Sequence, residues 1–264
     1  MRFIHIFLIS ISLFIIGCGG ENSKENTQTP QVTIKVGSEG AYKPFSYVDK
    51  DGKITGYDVE VLRLLQEIDS TLSFDFNYAP WNSLFLGLDS ARFDMLANQI
   101  IKTKEREERY LLNNNSYFVS TSQFITRSND NTINSTNDFK GKIAGGVVGS
   151  AHTKILEDWN NKNGKILEIR YYKDLSPLLQ DLVNKRIDVH LNDPASIIDI
   201  VREQNLALKI LDERISQSNV YFIFRKEDKS KELIDKIDTA LQKAKDSGKL
   251  SELSIRFFGI DQSK

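Results

Sequence analysis

The sequence predicts an α/β fold made of two consecutive units, on three observations. Short apolar strands alternate with helix-period segments from Val32 onward. The same β-α-β-α-β order restarts after Arg127. The two runs share no internal sequence repeat, so they are two similar units and not a tandem array. In the first run Val32, Ile34 and Val36 alternate with polar residues, as a half-buried strand does. Residues 37–51 form a loop with Gly52 in a turn, and Tyr57, Val61, Leu64, Leu65 and Ile68 then recur at helical spacing. Leu72 to Tyr78 reads as a strand, Asn82 as the cap of a helix carrying Leu84, Phe85 and Leu88, and Phe93 to Ala97 as the third strand. A mostly parallel sheet with helices on its faces follows.

The second run reads strand Ile143–Val148, a helix over Ser150–Trp159, strand Leu167–Tyr172, a helix marked by Leu175, Leu178, Leu179, Leu182 and Val183, strand Asp188–Leu191, and a helix marked by Ile197, Ile198 and Val201. A strand over Val220–Phe224 comes next. A long amphipathic helix carrying Leu233, Ile234, Ile237, Leu241 and Ala244 stops at Gly248, and a last helical piece spans Leu250–Phe257. This tail is too small for a third domain and is expected to pack back on one of the first two.

The N-terminus sets the compartment. Arg2 is followed by an almost wholly apolar stretch from Phe3 to Ile16, shorter than a bilayer span and suited to a signal peptide over residues 1–17. It ends Ile15-Ile16-Gly17-Cys18, which resembles the bacterial lipobox, and Cys18 is the single cysteine of 264 residues. Lipidation at Cys18 is expected, with residues 18–31 as a polar tether. A plain secretory signal with an incidental cysteine is the alternative. The remaining ~245 residues are enough for one or two cores without disulfides. The formal net charge of −1 gives no attraction for nucleic acid.

Several separated motifs fall in order over most of the chain: Gly37-Ser38-Glu39-Gly40-Ala41-Tyr42-Lys43-Pro44-Phe45, Asp51 through Glu60, Trp81-Asn82-Ser83-Leu84, Leu88-Asp89-Ser90, Arg92-Phe93-Asp94, Asn98-Gln99, Thr103-Lys104-Glu105-Arg106, Asp138 through Lys142, Leu191-Asn192-Asp193, Phe222 through Lys226 and Phe257-Phe258-Gly259. Together they resemble the polar-amino-acid family (family 3) of periplasmic solute-binding proteins across residues 32–260. The resemblance implies a type II two-lobed periplasmic-binding-protein fold with two hinge strands and ligand in the interlobe cleft. Lobe 1 would comprise residues 32–120 and 221–264, lobe 2 residues 125–216, and the hinge residues 121–124 and 217–220. It implies no enzyme activity and no cofactor or metal. The expected protein is an extracytoplasmic monomer, anchored to the membrane through lipidated Cys18 (in the periplasm of a two-membrane bacterium), with the permease of an ABC importer as partner.

A zwitterionic amino acid needs a cation for its carboxylate and an anion for its ammonium once water is excluded. Arg106, in the family's Thr-x-x-Arg pattern, is the expected cation, able to grip a carboxylate bidentately. A solvated helix face is the alternative for that charged run. Asp193, before Pro194, matches the family's ammonium-binding Asp; a plain helix cap is the alternative. Ser150, Ala151 and His152 lie between a strand and a helix, where backbone N–H groups favour an anion, and match the family's second carboxylate grip. Tyr42, Phe45 and Trp81 match aromatic cleft positions, although three such residues also suit a core. Glu39 matches an acidic rim position. Asn98, Gln99, Lys102 and Thr103 belong to the same segment. Ile101 departs from the family's usual Ser or Thr and removes a polar contact, and Leu111-Leu112-Asn113 replaces its usual Asp-Phe-Ser.

Ser38 through Phe45, Asn98-Gln99, the Trp81 segment and Lys102-Thr103 are most similar to the cystine- and cysteine-binding branch. Glutamine or another polar amino acid fits the same residues. The rival class is an exported enzyme on this fold, dehydratase-like, for which Glu39 is the one candidate acid or base and no partner is apparent. A receptor feeding a chemoreceptor would use the same site.

Overall fold

The computed structural model describes residues 31–264. The expected signal peptide over 1–17, Cys18 and all of the tether but Gln31 lie outside the described residues. In chain order the elements are β1 (Val32–Ser38), β2 (Ala41–Tyr42), β3 (Ser46–Val48), β4 (Ile54–Thr55), α1 (Tyr57–Ile68), β5 (Leu72–Tyr78), α2 (Trp81–Asp89), β6 (Met95–Ile101), α3 (Lys104–Arg109), β7 (Leu111–Leu112) and β8 (Phe118–Arg127). The second half holds β9 (Lys142–Val147), α4 (Ala151–Lys162), β10 (Leu167–Tyr172), α5 (Leu175–Val183), β11 (Val189–Asn192), α6 (Pro194–Gln204), β12 (Leu208–Phe224), α7 (Asp228–Asp246) and α8 (Lys249–Phe258). Among the described residues no helix is long and apolar enough to cross a membrane.

Two parallel sub-sheets, β5-β1-β6 and β10-β9-β11, are joined by β8 and β12, which run antiparallel to their neighbours. The sheet is therefore mixed, where the sequence pattern predicts mostly parallel. β8 and β12 pair from Phe118↔Val220 to Arg127↔Leu208, with register shifts between Ile210, Arg214 and Ser216. They are the strands that pass between the two lobes. The sequence reading finds only the last five residues of β12. Its middle, Asp212-Glu213-Arg214 through Asn219, is polar but for Ile215 and exposed to half-exposed, so no apolar alternation marks it.

Each lobe is a helix-sheet-helix layering. In lobe 1, β6 is buried along its whole length. Leu62 and Leu65 of α1, Ile237 and Leu241 of α7, and Leu250 and Leu253 of α8 share a core with Val36. The opposite face carries Leu84 and Leu88 of α2 against Phe93, Leu96 and Ile223. In lobe 2, Leu156 packs with Phe124, Phe139 and Leu191 on one face, while Leu178, Leu182 and Ile197 fill the other. The C-terminal helices thus lie on lobe 1. One local reading is corrected: Pro80, not Asn82, occupies the cap position of α2; Asn82 sits in the first turn, where its Oδ1 accepts from Ser83. Gly248 is the expected stop: it follows the Ser247 cap of α7 in the left-handed region, φ 76°, and leads into α8.

Candidate ligand-binding site

Arg106 is delivered by a short piece of local chemistry. β6 ends at Ile101, Lys102 turns outward, and the Thr103 side chain accepts from the Arg106 N–H as the cap of α3. That cap turns Arg106 inward, where it is 7% exposed. Its Nη1 donates to the Ile101 carbonyl at 2.6 Å, and its Nη2 reaches across the cleft to the Gly149 carbonyl at 3.1 Å. The guanidinium lies over the rings of Phe85 and Trp81. Among the described residues it forms no ion pair. Burial pulls its pKa down to about 10, so the charge persists at neutral pH. A buried cation without an anion is costly unless something else supplies the counter-charge.

Opposite Arg106 stands the start of α4. Gly149 adopts φ 75°, a turn that a side chain would strain. Ser150 is the cap residue but makes no side-chain cap bond, so among the described residues no side chain caps the first-turn N–H groups. Ser150, Ala151 and His152 line the same cavity as Arg106, together with Glu39, Tyr42, Trp81, Asn98, Gln99 and Ile101 from lobe 1 and Val147, Leu175, His190 and Asn192 from lobe 2. A guanidinium on one lobe and a helix N-terminus on the other both favour an anion between them. Glu39 is the cavity's carboxylate. Its backbone N–H donates to Asn98 Oδ1 at 2.7 Å, and burial pushes its pKa up to about 7 against the opposing pull of the Asn98 side chain.

Gln99 is held in the left-handed region at φ 46°, unusual for a residue with a side chain. Its N–H donates to Asp58 Oδ2, and its side-chain oxygen accepts from the Tyr42 hydroxyl at 2.7 Å. The Gln99 Nε2 donates across the cleft to Asp193 Oδ2 at 2.8 Å. Further bonds between the lobes run from Trp81 Nε1 to the Val148 carbonyl, 3.0 Å, and from Lys43 Nζ to Glu203, 2.7 Å.

Not every expected residue reaches the cavity. Phe45 is fully buried in the lobe 1 core, ring to ring with Phe118 and Phe258, so the core alternative holds for it. Lys102 is half-exposed and paired with Glu107 on the outer surface, because strand alternation turns Ile101 inward and its successor out. Thr103 serves as the cap of α3 and is not among the cavity-lining residues. Asp193 is wholly buried and also does not line the cavity. Its Oδ1 accepts from Ala195 N, making it the cap of α6, and its Oδ2 accepts from Ser120 Oγ, Thr121 N and Gln99 Nε2. Burial raises its pKa to about 6, with those four donors opposing the rise.

His190, Asn192 and Leu175 are cavity residues that the sequence reading does not single out, and Asp58 is a support it overlooks. Period-two alternation along β11 places His190 and Asn192 on one face and Leu191 in the core. That signal was available, but a histidine inside an apolar strand reads as core.

The family profile for bacterial extracellular solute-binding proteins, family 3, matches residues 34–260. The chain belongs to that family. It is 33% identical to the L-cystine-binding protein TcyA of Bacillus subtilis (strain 168), over 98% of this chain and 97% of the relative. It is 30% identical to the L-cystine-binding protein TcyJ of Escherichia coli (strain K12), over 88% and 85% respectively. The solved structure of a putative L-cystine ABC transporter protein from Listeria monocytogenes superimposes with a TM-score of 0.77 at 30% identity, covering 88% of this chain and 98% of that one. The two-lobed α/β architecture of this family-3 protein is thus shared with that solved structure.

Proposed function

We propose that this solute-binding protein captures a polar amino acid, L-cystine foremost, outside the cytoplasmic membrane and delivers it to an ABC importer. One observation carries the reading: Arg106, buried on lobe 1 and without an ion pair among the described residues, faces the N-terminus of α4 on lobe 2, which lacks a side-chain cap bond. A ligand α-carboxylate between them would hold both lobes at once, so binding would favour the closed arrangement over an open one. The lobes would be residues 32–120 with 221–264 and residues 125–216, hinged at 121–124 and 217–220 within β8 and β12. The ligand ammonium would meet Glu39 at the cavity, or Asp193 once Gln99 turns aside. Tyr42 and Trp81 would cover an apolar disulfide. Cystine is preferred because TcyA and TcyJ are L-cystine-binding proteins by name; glutamine fits the same neutral lining of Asn98, Gln99 and Asn192. Acylation at Cys18 would keep the protein at the membrane, as a monomer.

Glu39, with its carboxyl pushed to about 7, also has the property of a general acid or base. That feature favours the exported-enzyme alternative. One experiment separates the two: mass spectrometry of ligand released from the purified protein, then calorimetry with that compound. Intact amino acid recovered after prolonged incubation supports a receptor; a converted product refutes it.

A further inference from the structure

His190 sits on β11 beside Asn192 in the lobe 2 wall and is 2% exposed. Its Nδ1 lies 2.9 Å from the Gly145 carbonyl oxygen. A carbonyl oxygen can only accept, so Nδ1 carries the ring proton. In the neutral ring the lone pair is then on Nε2. Burial keeps the ring neutral by pulling its pKa down to about 4. Arg106 and His152 share its cavity, and the second of these is hydrogen-bonded through Nδ1 to Ser122 Oγ. Five buried side-chain polar atoms lack a partner among the described residues: Asp58 Oδ1, Tyr110 Oη, Tyr117 Oη, Arg127 Nε and His190 Nε2. Of the five, only the last belongs to a residue lining the ligand cavity. A native interior rarely leaves such an atom unsatisfied without a reason.

We infer that His190 Nε2 is a preset acceptor for a hydrogen-bond donor on the ligand, and so a specificity-determining residue of this site. It rests on the amino-acid reading above and narrows it. An N–H or S–H group brought to Nε2 is satisfied. A carboxylate brought there meets a second lone pair and loses its water for nothing. The site therefore selects amino acids whose side chain ends in a donor, such as the second ammonium of cystine or the amide of glutamine, over glutamate.

The test uses the purified protein with L-cystine, L-glutamine and L-glutamate. Long-range proton–nitrogen spectra of the wild type report the tautomer directly. His190 should be Nδ1–H with and without ligand, and its Nε2 resonance should move toward the protonated range when ligand saturates the site. Calorimetry should find His190→Leu weakened roughly ten- to hundredfold for the donor ligands. His190→Gln, whose amide oxygen restores an acceptor, should recover most of that loss, and the preference over glutamate should narrow in His190→Leu. An Nε2–H tautomer, or an Nε2 resonance that a bound ligand leaves unmoved, overturns the inference even if the variants misfold. Equal loss in His190→Leu and His190→Gln, or no loss in either, also overturns it. A wild type that binds none of the three ligands removes the amino-acid reading itself, whereas binding with an unmoved Nε2 removes His190 alone.

Discussion

Replacing Arg106 with Met should move stability and affinity in opposite directions. The guanidinium is 7% exposed, forms no ion pair among the described residues, and has its pKa pulled well below the ordinary guanidinium value, to about 10, by burial. At ~1.4 kcal/mol per pKa unit that drop corresponds to about 3 kcal/mol of unfavourable burial in the ligand-free protein. The bonds to the Ile101 and Gly149 carbonyls are lost with it, at roughly 1 kcal/mol each, which leaves a net gain on the order of 1 kcal/mol. Met fills most of the volume against Phe85 and Trp81. For a chain of this size the ligand-free melting temperature should rise by ~2–4 °C. Binding should fall in the other sense. Losing one partner of a buried, hydrogen-bonded charge pair costs ~2–5 kcal/mol, or roughly thirty- to several-thousand-fold in affinity. Differential scanning fluorimetry with and without L-cystine reads both effects, since ligand at a hundred times Kd should add ~2.7 kcal/mol to the wild type and nearly nothing to the variant. Lys104→Ala and Arg109→Ala are the controls, because their side chains are 92% and 57% exposed and exposed pairs contribute little. A destabilised Arg106→Met variant that still binds at wild-type affinity would refute the carboxylate role, since the guanidinium would then serve the fold alone.

Two other predictions follow from the same geometry and a third from the sequence. A ligand ammonium favours ionised Glu39, whose pKa near 7 means the carboxyl must lose a proton before pairing below neutrality; affinity should fall about tenfold from pH 8 to pH 6 and become flat in Glu39→Gln, as calorimetry across pH would show. Asp193→Ala strips the acceptor from Ser120, Thr121, Gln99 and Ala195 at once, so chemical denaturation should find stability lower by roughly 2 kcal/mol or more, with Asp193→Asn recovering part; a fully stable Ala variant would contradict the observed cap. Cys18→Ala should not incorporate labelled palmitate in cells, and label entering the variant would remove the lipoprotein reading.

Composition and period determined a large part of this protein before any coordinates. Alternation at Val32, Ile34 and Val36 and helical spacing at Tyr57 to Ile68 are local signals, because one buried face per element writes its own period into the chain. Both α/β units and the amphipathic C-terminal helix were legible for that reason. Arg106 and the Ser150–His152 turn were legible as well, though as motif positions more than as deductions. The tertiary structure decided what no single segment encodes. β12 is a 17-residue strand whose polar middle is stabilised by pairing with β8, a partner some 90 residues away in sequence. Phe45 and Trp81 look alike as aromatics in a motif, yet one fills a core and the other lines the cavity. Asp193 was read as an anion or a cap; packing makes it a cap and surrounds it with donors from both lobes. His190 acquires a meaning only when the Gly145 carbonyl fixes its proton and the fold leaves the opposite nitrogen buried without a partner among the described residues. The reason is common to all four: burial and hydrogen-bond partnership are relations between distant segments, while the period of a strand or helix is a property of one.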